Sequence, residues 1–271
     1  MSEPAFQTPV FQTIARAIRD VSGLALSPDK GYLLQARLAP MMQRRGLASL
    51  GELASRLPTA EGAALVREMA EATTTNETSF FRDVVPFRQL AETTFPELDA
   101  ARAPGQPIRI WSAACSSGQE AYSLAMTALE SGCRRRLDIL GTDLSPAMVE
   151  RARSGLYSAF EMERGLSTAQ RSRWFRPEAD GWRVVEELRR CCRFEVGNLL
   201  GDLRGLGTFD IAMLRNVLIY FDSATKERVV AACTARLAAD GVLCLGAAET
   251  LLGLKVPLAQ LPGLRGMWRR G

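Results

Sequence analysis

Histidine is absent from all 271 residues of the chain. This absence excludes His-based general acid–base catalysis, serine-type triads and most zinc sites. The six cysteines are too widely spaced for a Cys-only metal site, so we expect no metal. Any chemistry must therefore depend on positioning, carboxylates, guanidinium groups, tyrosine or a cofactor.

Long apolar runs, a secretory signal and a large excess of one charge are also missing. The longest apolar stretches, such as Val242 to Ala248, are far shorter than the roughly 20 residues of a membrane span. The net charge of +4 is too small to indicate a nucleic-acid binder. The N-terminus lacks the basic and apolar regions of a signal peptide, and no C-x-x-C pair occurs. We expect a cytoplasmic protein with reduced thiols, no nucleic-acid partner and no direct membrane insertion.

The first part of the chain has helical periodicity and no strand pattern. Residues 1–75 are predicted to form a helical N-terminal domain, in which Phe11, Ile14 and Ile18 keep the spacing of a buried stripe. A second helix is predicted to begin near Ser27 and Pro28, with serine as cap and proline in the first turn. Residues 76–107 are predicted to be an interdomain segment and a linker helix.

From residue 108 onward, short apolar runs alternate with helical stretches, which is typical of βαβ units. Residues 108–271 are therefore predicted to form an α/β domain with a Rossmann-like, doubly wound sheet. One segment interrupts the alternation at about 160–192. Asp180-Gly181 lies there between aromatic and β-branched stretches, which favours an inserted antiparallel β-hairpin. A disordered loop is the alternative, and the tryptophans of the segment argue against it.

Three predicted strand ends carry unusual residues, and ligands of open α/β sheets bind at such ends. The first strand runs into a loop of small residues, 113–118, in which only Gly118 is glycine. This loop is neither a dinucleotide fingerprint nor a phosphate loop with its lysine, so a ligand without phosphates fits better. Asp143 ends the second strand and is suited to accept both hydroxyls of a ribose, although a simple turn residue is the alternative. Another strand runs into Arg215-Asn216, polar groups that need partners at a partly buried strand end.

Four stretches, taken in order, resemble the CheR family of chemotaxis protein methyltransferases. They are Thr75 to Arg82, Trp111 to Gly118, Gly141 to Asp143 and Arg215 to Phe221, and the resemblance extends over essentially the whole chain. It implies S-adenosylmethionine as methyl donor and S-adenosylhomocysteine as product. The implied acceptors are glutamates of methyl-accepting chemotaxis receptors, which become methyl esters during sensory adaptation.

The resemblance also implies the roles of individual residues. Arg82 and Tyr220 would lie beside the transferred methyl as catalytic residues. Gln119 and Ala121, which flank Glu120, depart from the family pattern without removing the matching glutamate. The implied cofactor-binding residues are Asn76, Thr78, Arg82, Ala113, Glu120, Asp143, Asn198, Leu199, Arg215 and Asn216.

A glutamate acceptor suits a chain without histidine, because its carboxylate is already ionised near pH 7 and needs no base. For docking on the acidic cytoplasmic helices of receptors, the candidates are Lys30, Arg37 and Arg44, which share a helix face, together with Arg45. A solvated helix face is the alternative. The hairpin is a second candidate contact, because in the family that the chain resembles this insertion can bind a receptor's C-terminal peptide by strand addition. The turn from Arg176 to Gly181 is short here, however, and short versions resemble members that do not need such a peptide. We expect a monomer that is recruited to membrane receptor arrays.

Three other functions are the alternatives that the sequence leaves open. An NAD(P)-dependent oxidoreductase would share the sheet but lacks its glycine fingerprint. A catalytically idle scaffold that binds S-adenosylmethionine is disfavoured because Arg82, Asp143 and Tyr220 are all retained. A methyltransferase of nucleic acid or small molecules lacks support from aromatic-basic interleaving.

Overall fold

The computed structural model describes residues 9–26 and 31–271 and divides the chain into two units. One unit comprises Met1–Thr75 together with Tyr220–Lys226, and the other comprises Asn76–Ile219 together with Glu227–Gly271. None of the helices within the described ranges is both long and apolar enough to cross a membrane.

Four amphipathic helices build the N-terminal part of the first unit. Their apolar stripes meet in one core, to which Phe11, Ile14 and Ile18 contribute as the helical spacing predicts. The predicted cap at Ser27 and Pro28 lies outside the described residues. The helices are α1 (Pro9–Ser22), α2 (Gly31–Arg44), α3 (Leu50–Arg56) and α4 (Gly62–Thr73).

The second unit begins with a helical segment and continues into α/β structure. Its first helices are α5 (Val85–Gln89) and α6 (Phe95–Ala101), joined by the π-helical turn Leu90–Thr94. The later helices are α7 (Gln119–Glu130), α8 (Pro146–Ser154), α9 (Ala159–Glu163), α10 (Thr168–Trp174), α11 (Glu186–Arg189) and α12 (Ser223–Thr234). The first turn of α12 is grouped with the other unit.

Seven strands form the main sheet, in the order β6-β2-β1-β7-β8-β10-β9. The first five run parallel, and β10 and β9 add antiparallel at one edge. Ten strands occur in the described residues: β1 (Ile108–Ala113), β2 (Leu137–Asp143), β3 (Leu156–Tyr157), β4 (Phe175–Glu178), β5 (Gly181–Val184), β6 (Cys192–Val196), β7 (Phe209–Leu214), β8 (Leu237–Leu245), β9 (Leu258–Gln260) and β10 (Met267–Arg270).

The predicted fold class is confirmed, including the small antiparallel insertion, which forms a sheet of order β3-β5-β4. The tight turn of its hairpin lies one residue earlier than the Asp-Gly signal suggests, with Ala179 and Asp180 as loop residues. Gly181 instead opens β5 at a φ of 146°, where a Cβ atom would lie 2.5 Å from the carbonyl oxygen of Tyr157. Close packing of two strands therefore explains this glycine.

The topology decides where a ligand site can form. Along the chain β1 leads to β2 and β6 on one side, and the chain then returns to place β7 and β8 on the other side. The strand order reverses between β1 and β7, which is the switch point at which open α/β sheets bind ligands. The residues that follow these strands therefore meet at one edge of the sheet.

Candidate active site at the carboxyl ends of the strands

The loop after β1 is held in an unusual backbone conformation. Ala114, Ser116 and Gly118 have φ angles of 60°, 50° and 92°, in the left-handed region. A Cβ atom on Gly118 would lie 2.8 Å from the Cβ of Ala152, so a glycine is needed for both φ and packing. Left-handed residues at alternate positions turn backbone N–H groups toward one side and form a cradle for acceptors.

Asp143 binds that loop to the end of β2. Its Oδ2 accepts a hydrogen bond of 2.7 Å from the N–H of Ser116, and its Oδ1 accepts one of 3.0 Å from Ser145. Ser145 in turn caps α8 by accepting from the N–H of Met148. The buried carboxylate is thus oriented by two backbone donors before any ligand arrives.

Arg215 is the most deeply buried cation of the site, with 1% of its side chain exposed. Its Nη1 donates to Glu120 at 2.8 Å, and the other oxygen of Glu120 accepts from the hydroxyl of Ser112, also at 2.8 Å. Its Nη2 donates to the carbonyl of Arg82 at 2.6 Å and to Asp83 at 2.9 Å. Within the described part of the chain, Nε of Arg215 is buried without a partner. A buried donor of this kind can take an acceptor from a ligand or from water.

The segment that carries Arg82 is strained. Phe81, Asp83 and Val84 have φ angles of 48°, 66° and 42° although none of them is glycine. Such conformations cost of order 1–3 kcal/mol each and persist where surrounding contacts enforce them. Arg82 itself is half-buried, and its Nη1 donates to the carbonyl of Glu77 at 2.7 Å.

Other predicted cofactor residues lie at the same strand ends. Ala113 ends β1, is buried and pairs with strand residues on both sides. Asn198 follows β6, and its Oδ1 accepts from the N–H of Leu200 at 2.9 Å, while Leu199 is half-buried. The carbonyl of Asn76 accepts from the hydroxyl of Ser116 at 3.0 Å.

Thr78 is half-buried in the segment between Asn76 and Arg82. Tyr220 belongs to the other unit, where it ends the 3₁₀ turn Leu218–Tyr220 and its carbonyl accepts from the N–H of Ala25 at 2.9 Å.

The predicted docking residues belong to the first unit, except that Lys30 lies outside the described residues. Arg37 is exposed, yet it donates to the carbonyl of Thr73 and to the hydroxyl of Thr75. Arg45 forms an ion pair with Glu68, and the Arg45 guanidinium lowers the pKa of that carboxyl. Arg44 is exposed and forms no ion pair with any described residue.

Sequence reasoning missed two acidic residues that contact this site. Asp83 pairs with Arg215, and Glu249, four residues after β8, accepts from backbone N–H groups after β7. An acidic residue shortly after a buried parallel strand was the available signal for Glu249. Asp83 carried no such signal, because it pairs with a residue 132 positions away. No group of three or more potential metal ligands occurs in the described ranges.

An open, mostly parallel sheet with an anchored carboxylate at the end of β2 is typical of α/β proteins that bind a nucleoside cofactor. A family model described as the CheR methyltransferase SAM-binding domain matches residues 76–265. A second, described as the CheR methyltransferase all-alpha domain, matches residues 9–74.

Curated relatives agree over most of the chain. Chemotaxis protein methyltransferase 1 of Pseudomonas aeruginosa is 40% identical, with 90% of this chain and 91% of the relative covered. Chemotaxis protein methyltransferase Cher2 of Pseudomonas putida is 38% identical with the same coverage. The chemotaxis protein methyltransferase of Listeria monocytogenes is 34% identical over 88% of each chain.

The chain belongs to the CheR family of chemotaxis protein methyltransferases, as the sequence motifs predicted. It is an S-adenosylmethionine-dependent methyltransferase of that family. The oxidoreductase alternative is thereby set aside.

Proposed function

We propose that the protein transfers a methyl group from S-adenosylmethionine to glutamate carboxylates on cytoplasmic helices of chemotaxis receptors. The observation that carries this proposal is the Arg215 cluster, which links the cofactor end of the sheet to the segment that displays Arg82. The family names support chemotaxis as the pathway.

The residues at the strand ends fit the cofactor. The anchored carboxylate of Asp143 would accept from the ribose hydroxyls, and the unpartnered Nε of Arg215 would donate to the carboxylate of the methionine part. Glu120 would neutralise the charge of the cofactor's ammonium group while it keeps its ion pair with Arg215. Asn76, Thr78, Ala113, Asn198, Leu199 and Asn216 would line the remaining surface.

The bound cofactor supplies an electrophilic methyl group on a sulfonium sulfur. An ionised glutamate carboxylate of the receptor would accept that methyl group. No proton moves, so no general base is required. Arg82 would orient the incoming carboxylate, and Tyr220 would hydrogen-bond to it or shape the path of the methyl group.

Arg82 is expected to orient the acceptor without strong pairing, since a tight ion pair in the ground state would slow the transfer. One of its nitrogens already donates to the carbonyl of Glu77, which fixes the guanidinium before the acceptor arrives. The test is transfer of labelled methyl to receptor-containing membranes, with base-labile release of methanol as the signature of an ester. Arg82→Ala should abolish most turnover at saturating cofactor. The matched control is Arg88→Ala, an exposed arginine of α5.

We further propose that α2 docks on the receptor. Its exposed face combines Arg37 and Arg44 with apolar Leu33, which is 39% exposed. Tyr32, which is 59% exposed, lies roughly 120° away from Arg44 round the helix. An apolar and basic face suits the acidic, amphipathic helix of a receptor better than a solvated surface does.

Of these residues, Arg44 gives the cleanest test, because Arg37 also holds the end of α4. Arg44→Glu should raise the apparent KM for receptor and leave the affinity for S-adenosylhomocysteine unchanged. Arg67→Glu on α4, also exposed, is the charge-matched control. An unchanged KM in Arg44→Glu would reject docking through α2.

The inserted hairpin argues against capture of a receptor peptide by strand addition at β4. Val185 donates to the carbonyl of Trp174, and hydrogen-bonded positions alternate, so Phe175 and Pro177 are the residues whose backbone faces away from β5. The N–H of Phe175 already donates to the carbonyl of Arg171, and its own carbonyl accepts from a neighbouring guanidinium. Proline has no N–H to offer.

We therefore propose that the protein recognises receptors without a tethering peptide at β4. The opposite edge strand, β3, is only two residues long. Calorimetric titration with peptides from receptor C-termini should give no binding signal. Micromolar binding that disappears on deletion of residues 175–184 would contradict the proposal.

A further inference from the structure

The turns after β7 and β8 lie side by side, because Leu214 and Leu245 are partners at the ends of these strands. Glu249 lies four residues beyond Leu245 and is half-buried. Its side chain points back to the turn after β7 and accepts hydrogen bonds from four backbone N–H groups. The bonds to Oε2 come from Asn216 at 2.7 Å and Gly246 at 2.8 Å, and those to Oε1 come from Val217 at 2.9 Å and Leu218 at 2.7 Å.

This turn has the geometry of an anion-binding nest. Asn216 takes a left-handed φ of 59°, and its own N–H and the next two N–H groups converge on one carboxylate. Converging N–H groups repel one another unless an anion lies among them, so the turn depends on the charge of Glu249. Gly246 leaves the room for that carboxylate. A Cβ atom there would lie 2.7 Å from Oε2 of Glu249 and 3.0 Å from the N–H nitrogen of Asn216.

We propose that Glu249 is a positioning residue for methyl transfer, which fixes the turn that begins with Arg215 and Asn216. The proposal rests on the proposed function, in which these two residues line the cofactor site. The turn also leads along the chain to Tyr220 through the 3₁₀ turn Leu218–Tyr220. Glu249 itself touches neither cofactor nor acceptor in this role; it acts through the backbone that carries those residues.

The first test replaces the carboxylate and keeps its shape. Glu249→Gln retains one acceptor oxygen but turns an NH₂ group toward two N–H donors, so the turn should open. We expect kcat/KM to fall by about 10- to 100-fold and the affinity for S-adenosylhomocysteine to weaken as well. The matched control is Glu227→Gln, whose carboxylate accepts a single backbone hydrogen bond, from Lys255. It should stay within about twofold of wild type, as substitutions away from such features usually do.

A second test separates positioning from simple loss of folding. In Glu249→Ala, acetate should restore both activity and cofactor affinity, whereas acetamide, which has the same shape but no charge, should restore neither. Gly246→Ala should reproduce the defect of Glu249→Gln, and the double variant should be no worse than either single one, because both changes remove the same contact.

Two results would overturn the inference. One is wild-type kinetics and affinity in Glu249→Gln. The other is a loss of native melting in Glu249→Ala that acetate does not reverse. Cofactor affinity is measured apart from transfer. A wild-type protein that binds S-adenosylhomocysteine but methylates no receptor would therefore refute the proposed acceptor, while the affinity comparison would still decide the role of Glu249.

Discussion

Asp83→Asn is the substitution that tests how Arg82 is held in place. It removes one charge, changes little volume and leaves Arg82 itself intact. Asp83 Oδ2 accepts from Nη2 of Arg215 at 2.9 Å, and the two side chains are 31% and 1% exposed. The same nitrogen of Arg215 donates to the carbonyl of Arg82. Loss of the ion pair between Asp83 and Arg215 therefore weakens both contacts that hold the strained segment, the one at Asp83 and the one at the carbonyl of Arg82.

The expected fall in turnover follows from two energies, that of the weakened hydrogen bond and that of the backbone strain in the segment. A hydrogen bond to a charged group contributes about 1.5–3 kcal/mol, and asparagine can keep a weaker one, so a loss near about 1.5 kcal/mol is expected. The left-handed residues Phe81, Asp83 and Val84 cost of order 1–3 kcal/mol each, so a loss of that size is enough for the segment to relax. Because about 1.4 kcal/mol corresponds to a factor of ten, turnover should fall roughly tenfold. Arg215 keeps its contact with Glu120, so the affinity for S-adenosylhomocysteine should change much less.

The assay compares methyl transfer at saturating cofactor with calorimetric binding of S-adenosylhomocysteine. Asp202→Asn is the control, because its pair with Arg204 is 60% and 85% exposed and such pairs contribute about 0–1 kcal/mol. Wild-type turnover in Asp83→Asn would refute the argument that this pair holds Arg82. An equal loss of cofactor affinity and turnover would refute the idea that Asp83 supports Arg82 while Glu120 supports cofactor binding.

Three further predictions concern stability. The hydroxyl of fully buried Tyr157 donates to the carbonyl of Ser117 at 2.7 Å, and burial raises the pKa of Tyr157 well above its usual value. Its contribution is therefore complete below about pH 10 and is lost as the pH rises further, so the melting temperature of wild type should fall more steeply between pH 9.5 and 11 than that of Tyr157→Phe. Val84→Gly should be more stable than Val84→Ala by about 1 kcal/mol in thermal melts, because only glycine relieves the φ of 42°; equal melting temperatures would refute strain there. Asp210→Asn breaks a pair with Arg102 in which both side chains are only 9% exposed, and it should lower the urea midpoint by an amount equivalent to about 3 kcal/mol, whereas a shift below 1 kcal/mol would contradict a buried pair.

Much of the fold could be predicted because local patterns determine it. The spacing of Phe11, Ile14 and Ile18 specifies a helix with one buried face, and the apolar runs of β1, β2 and β7 specify buried parallel strands. The carboxyl-end rule then places Asp143 and Arg215 at one edge of the sheet. Both positions follow from chain order alone.

The edge strands β9 and β10 were not predicted. Each is short, and the residues between them include a Pro-Gly pair, so neither period 2 nor an apolar run is visible. β10 pairs with the edge of β8, a partner more than 20 residues away in sequence, and β9 then pairs only with β10. Non-local pairing of this kind leaves little trace in a single sequence.

The same distinction applies inside the site, where the sequence reveals the residues at the strand ends, Glu120 and Asp143 included, but not the supporting carboxylates of Asp83 and Glu249. Those carboxylates also bear on the kind of cofactor. Both Nη groups of Arg215 already donate hydrogen bonds, to Glu120, Asp83 and the carbonyl of Arg82. Few donors of this guanidinium therefore remain for a pyrophosphate. With the carboxylate of Asp143 close to the loop after β1, the edge presents more negative than positive charge to a ligand. This charge balance disfavours the two phosphates of a dinucleotide and favours a cofactor with a sulfonium, an ammonium and one carboxylate, whose net charge is positive. The charge of the site and the missing glycine fingerprint thus point, by separate physical routes, to the same class of ligand.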